Sequence, residues 1–119
     1  MIAALDLHGG ETVIEIGPGK GALTFPIVHE CNRVGAKFLA IEKDRDLALE
    51  IFQSEEKIRV ELGDALEILT TVTENLRNYK IVGNIPYYIT GKLLRTISEL
   101  ENKPELTVLM IQKEVADRA

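Results

Sequence analysis

The 119 residues predict a single α/β domain built on a parallel β-sheet. Three observations carry that prediction. Five short runs rich in β-branched and aliphatic residues alternate with segments long enough to cover them. A glycine-rich turn, Gly17-Pro18-Gly19-Lys20-Gly21, separates the first run from a helical stretch. The fourth run leads through Gly83 into Asn84-Ile85-Pro86-Tyr87-Tyr88-Ile89-Thr90, which sets an amide and two aromatic rings at the carboxyl end of a buried strand, a place suited to a flat, polar substrate.

Taken in order, residues 12–16 form a short buried strand that ends at the glycines. Residues 23–34 carry enough apolar side chains to cover a sheet as a helix, with Pro26 in its first turn, where its missing N–H costs nothing. Residues 37–41 give the second strand. A polar turn follows, then a helix over 46–54 in which Leu47, Ala48 and Ile51 share a face. Residues 58–62 read as the third strand, and Gly63-Asp64-Ala65 turns away from it. Residues 66–76 hold a short helix or an irregular connection. Residues 79–82 form the fourth strand, 91–100 a helix, and 107–111 the fifth strand. Right-handed crossovers bring the connections after the first four strands to one ligand-binding rim.

Composition narrows the function classes. Hydrophobic residues make up 45% and charged residues 28%, as in ordinary globular domains. No apolar run approaches the roughly 20 residues that span a bilayer, and the first residues lack the pattern of a signal peptide, so the expected location is cytoplasmic with no membrane partner. Cys31 is the sole cysteine, which excludes an internal disulfide and a cysteine-based zinc cluster; on an apolar helical face it reads as packing. His8 and His29 have no ligand cluster near them in sequence, so no metal is expected. The formal charge of −5 argues against strong nonspecific attraction to a phosphate backbone. Base chemistry remains open, because affinity and chemistry can reside on different surfaces. There is no substantial linker, repeat or low-complexity block.

The candidate binding residues line the strand ends. Gly17, Gly19 and Gly21 permit a tight turn and close approach of a nucleotide-like cofactor, although this spacing alone also fits a plain turn or a dinucleotide fold. A Walker phosphate loop is disfavoured, since no Gly-Lys-Ser/Thr ending follows. Glu15 either orients a backbone or cofactor amine through a water or serves the strand end. Glu42 closes the second strand about 20 residues beyond the glycines, where a carboxylate accepts from a ribose diol in nicotinamide and S-adenosylmethionine sites alike. Lys43 can lay its stem over an adenine ring or remain an exposed turn lysine. Asp64 can accept from an adenine amino group while Ala65 supplies a backbone donor, or the pair is a structural turn.

The combination is more specific than its parts. Val13-Ile14-Glu15-Ile16-Gly17-Pro18-Gly19-Lys20-Gly21, the stretch from Asn84 to Thr90, and Val108-Leu109-Met110-Ile111-Gln112-Lys113-Glu114 together resemble the ribosomal RNA adenine dimethyltransferase family, over nearly the whole chain. The resemblance implies a Rossmann-like class I methyltransferase fold with strand order 3-2-1-4-5 and S-adenosylmethionine as cofactor, held by Glu15, Gly17, Gly19, Gly21, Glu42, Lys43, Asp64, Ala65 and Asn84. It implies that Asn84 and the carbonyl of Pro86 hold the target adenine amino group while Tyr87 stacks on the base. Two acceptors draw that nitrogen towards a tetrahedral geometry and expose its lone pair for in-line attack on the methyl carbon. Positioning is then the protein's main contribution. Tyr88 is read as packing or as a substrate contact, and Ile85 as a core wedge. Lys113 and Glu114 shape the rim; without the resemblance they would look like an ordinary helix start.

Family members also carry an N-terminal Gln-Asn-Phe-Leu segment, two further strands, an aromatic segment around the target base and a small helical domain. The expectation is therefore a central catalytic-domain piece without terminal cap or helical substrate domain, whose parent dimethylates two adjacent adenosines of small-subunit ribosomal RNA or the pre-ribosomal subunit. The isolated chain is expected to keep its fold and cofactor binding more readily than activity, and to self-associate through an exposed sheet edge. The alternatives are a noncatalytic cofactor-binding or ribosome-associated fragment, a large-subunit RNA adenine methyltransferase, and an NAD-binding oxidoreductase fragment.

Overall fold

A computed structural model describes residues 2–54 and 58–112. The elements run α1 (Ile2–Leu5), β1 (Thr12–Ile16), α2 (Thr24–Val34), β2 (Lys37–Glu42), α3 (Arg45–Phe52), β3 (Val60–Leu62), α4 (Ala65–Thr73), β4 (Tyr79–Pro86), a 3₁₀ turn (Tyr87–Ile89), α5 (Thr90–Ser98) and β5 (Leu106–Gln112). The five strands form one sheet in the order β3-β2-β1-β4-β5, every neighbouring pair parallel. That is the doubly wound order the resemblance implied.

Both faces of the central strands β1, β2 and β4 are covered, which is why they read as continuous apolar runs. Successive side chains of a strand point to opposite faces. Ile14 and Ile16 therefore join Leu39, Ile41, Ile81 and Ile85 beneath α4 and α5, which contribute Leu69, Leu93 and Ile97. Val13 and Val82 face the other way and pack on Leu5, Ile27 and Cys31 of α1 and α2. Val28, Ile51 and Ile58 close a third cluster between α2 and α3. Cys31 is thus buried packing, as its sequence position suggested.

The largest departure from the sequence reading lies in β4. Gly83 looked like a strand end, yet the strand continues through Asn84, Ile85 and Pro86, paired in register with Met110, Ile111 and Gln112. Gly83 serves close approach: a Cβ there would stand 3.0 Å from the Ile16 carbonyl oxygen and 2.9 Å from Ile85 Cδ1. The third strand is shorter than expected and starts at Val60, although Ile58 is buried and Arg59 accepts through its carbonyl from Ala40 N at 3.0 Å. Residues 65–73 resolve the ambiguous connection as a helix. The helix α1 gave no sequence signal at four residues.

A buried ion pair fastens the amino-terminal end of the sheet. Lys80 of β4 reaches Glu11 Oε1 at 3.2 Å and donates to the Leu5 and Asp6 carbonyls at 2.7 Å each. Glu11 also accepts from His8 N. All of the lysine's donors are spent, which offsets the cost of burying its charge. Among the described residues β5 is the terminal strand on its side, and Leu106, Met110 and Ile111 are exposed on it.

Candidate functional site

The carboxyl ends of all five strands meet on one rim, as the crossovers required. Two chambers open there. One, of about 330 Å³, is bordered by Glu42, Lys43, Asp64, Ala65, Asn84 and Pro86. The other, of about 370 Å³, is bordered by Glu15, Gly17, Gly19, Lys20, Asn84 and Gln112. Each falls in the roughly 300 to 1,000 Å³ range of small-molecule sites. Gly17, Asn84 and Gln112 border both.

The glycine turn separates β1 from α2. Gly17, Gly19 and Gly21 take φ of 68°, 59° and 92°, conformations costly for other residues. Gly21 is doubly constrained, since a Cβ there would lie 2.4 Å from Phe25 Cε2. Its N–H closes the turn onto the Pro18 carbonyl at 2.9 Å. Gly19 N donates to Glu42 Oε1 at 3.0 Å, tying the turn to the end of β2. Glu42 Oε2 accepts from Asp44 N at 2.9 Å, so both its oxygens are oriented by backbone N–H groups while retaining further lone pairs.

Glu15 is 1% exposed and accepts from the Thr24 hydroxyl at 2.5 Å. Desolvation by burial pushes its carboxyl up to about 7; the Thr24 hydrogen bond opposes the rise and the nearby Glu42 carboxylate adds to it. Among the described residues no Lys, Arg or His nitrogen lies within ion-pair distance of it. Thr24 was not singled out from the sequence; a hydroxyl residue opening the helix after a glycine turn was the available signal.

Asp64 has a structural duty. It caps α4, its Oδ1 accepting from Leu66 N at 3.0 Å, and its Oδ2 lies 3.9 Å from Lys43 Nζ, an exposed pair that adds little stability. Ala65 is the first residue of α4, so its backbone N–H cannot be satisfied by the helix itself. Lys43, Asp64 and Ala65 thus stand together on the first chamber.

The amide of Asn84 makes no side-chain hydrogen bond among the described residues, and both of its functions remain available where the chambers meet. The Pro86 carbonyl accepts from the Thr90 hydroxyl at 3.2 Å, which uses one of its two lone pairs. Ile85 is 1% exposed and is the core wedge expected. Tyr87 and Tyr88 open the 3₁₀ turn at 61% and 71% exposure and border neither chamber. For Tyr88 this corrects the packing reading: the turn carries both rings outward. Gln112 was read as part of a motif and not as a site residue, although a polar residue ending an apolar run at the rim was a usable signal. Lys113 and Glu114 lie outside the described residues.

Comparison with known proteins bears on the family and the fold. The family model for ribosomal RNA adenine dimethylase matches residues 1–119. The chain is 41% identical over 122 residues to ribosomal RNA small subunit methyltransferase A of Dehalococcoides mccartyi, covering 98% of this chain and 40% of that protein. It is 42% identical over 127 residues to the protein of the same name from Prochlorococcus marinus, covering 99% of this chain and 42% of the relative. The crystal structure of a dimethyladenosine transferase from Plasmodium falciparum superposes with a TM-score of 0.70 at 28% identity, over 98% of this chain and 41% of that one. The chain therefore spans about two-fifths of the length of these relatives. With the strand order, the glycine turn and the Asn84 stretch all in place, the chain belongs to the ribosomal RNA adenine dimethylase family.

Proposed function

We propose that this chain is the S-adenosylmethionine-binding core of an enzyme that dimethylates adenosine N6 in small-subunit ribosomal RNA. The observation that carries the reading is the meeting of two chambers at the Asn84 side-chain amide, which no described residue hydrogen-bonds. The residues fit that cofactor. One chamber offers Glu42 for a ribose diol, with Asp64 and the Ala65 N–H for an adenine edge and Lys43 beside them. The other offers Glu15 behind the glycine turn, a carboxylate suited to an amine. When bound, the cofactor supplies an activated methyl group.

The remaining work is positioning by this chain's own groups. Asn84 Oδ1 and the free lone pair of the Pro86 carbonyl accept from the two hydrogens of an exocyclic adenine amine, and hold its nitrogen towards the junction. Tyr87, exposed on the turn that follows, presents a face on which a flipped base stacks, worth about 1 to 3 kcal/mol. The same exposure favours a reading in which the isolated chain binds cofactor without effective transfer, because one face of the platform is open to water.

Labelled methyl transfer to small-subunit RNA tests this, comparing the 119-residue chain with a full-length form. The expected outcome is methylated adenosine from the full form, its loss in Asn84→Ala without matching loss of cofactor binding, and negligible transfer by the chain alone. Methylation confined to cytosine would overturn the proposed pocket.

A further inference from the structure

Three residues border both chambers, and two are accounted for. Gly17 has no side chain, and Asn84 carries the role just described. The third is Gln112, the last residue of β5, paired in register with Pro86 of the Asn-Ile-Pro stretch. Its neighbour two residues earlier on the same strand face, Met110, borders only the glycine-turn chamber. Gln112 is exposed and makes no side-chain hydrogen bond to another described residue. A carboxamide offers two donors and an acceptor, which suits a passage that a polar ligand must cross.

We propose that Gln112 is a ligand-positioning residue at the neck between the chambers, holding the segment that joins a nucleoside to its amino-acid extension. The inference rests on the cofactor reading above and adds to it a residue on the opposite strand from Asn84. The two amides stand on adjacent strands on the same side of the glycine turn, so a ligand lying in both chambers passes both of them. A ligand that fills only the nucleoside chamber does not need the second amide. Gln112 therefore discriminates extended nucleosides from bare ones, and its effect depends on ligand length.

Calorimetry on the 119-residue chain separates the outcomes, using S-adenosylhomocysteine as the extended probe and adenosine as the short one. Gln112→Ala is expected to weaken S-adenosylhomocysteine by about 3- to 10-fold, the loss of one hydrogen bond, and to leave adenosine within about twofold. Equal weakening of both ligands, or of neither, overturns the proposal. Gln112→Glu supplies a readout that a structural role would not move. A carboxylate at the neck attracts the sulfonium of S-adenosylmethionine and has no such attraction for the neutral thioether, so the ratio of their affinities should rise by about threefold. An unchanged ratio counts against the placement. Wild-type chain that binds adenosine but gains nothing from the extension would instead defeat the cofactor reading itself, whatever the variants do.

Discussion

Burial raises the Glu15 carboxyl to about 7 from an ordinary value of 4.5, which ties folding stability to its protonation. Between those values the folded protein holds a proton that the unfolded chain releases. Folding stability therefore falls as pH rises through that window, and the penalty is complete above about 7. Glu15→Gln keeps an oxygen for the Thr24 hydroxyl to donate to and removes the charge. The variant should be more stable than wild type by about 3 kcal/mol near pH 8, with the difference vanishing below about pH 4.5, as read by denaturant unfolding. A difference that stays constant across the window would contradict the assignment of the strain to this carboxylate. Gly17, Gly19, Glu42, Asp64 and Asn84 were legible in the sequence because each lies in a turn or within the last few residues of a strand. Less legible were their partners. That Glu42 holds the Gly19 N–H and that Glu15 holds Thr24 depends on loops that meet only in the folded sheet.

At the scale of elements, the central strands β1, β2 and β4 were readable because both of their faces are buried, and the helices because their apolar spacing is regular. Ends were harder. The sequence reading stopped the fourth strand at Val82, since glycine and proline usually punctuate, whereas β5 supplies a partner that carries the ladder on to Pro86. The ion pair of Lys80 with Glu11 was invisible for a different reason: it joins groups far apart in the chain and follows no local periodicity. It lies at the amino end of β4, four residues and roughly 13 Å along the strand from Asn84. Lys80→Ala leaves a buried carboxylate and two carbonyls without their cation and should destabilise the fold by about 3 to 5 kcal/mol. Affinity for S-adenosylhomocysteine, measured where the variant remains folded, should be unchanged. A drop in affinity without a drop in stability would mean that the two rims of the sheet are coupled.

Across the whole molecule, the sheet order decides what the site can be. Placing β1 between β2 and β4 sets the glycine turn at the centre of the rim, with Glu42 and Asp64 on one side and Asn84 and Gln112 on the other. Glycine spacing and a carboxylate at the end of β2 also suit a dinucleotide; the Asn84 amide at the junction of two chambers favours a methyl donor. The strand order itself came from resemblance, since periodicity identifies strands without ordering them. The most direct test of the cofactor assignment is calorimetry of one folded sample with S-adenosylmethionine and with NAD. Binding of S-adenosylmethionine, weakened by Glu42→Ala, with no response to NAD, is the predicted result. Selective binding of NAD with no response to the methyl donor would contradict it.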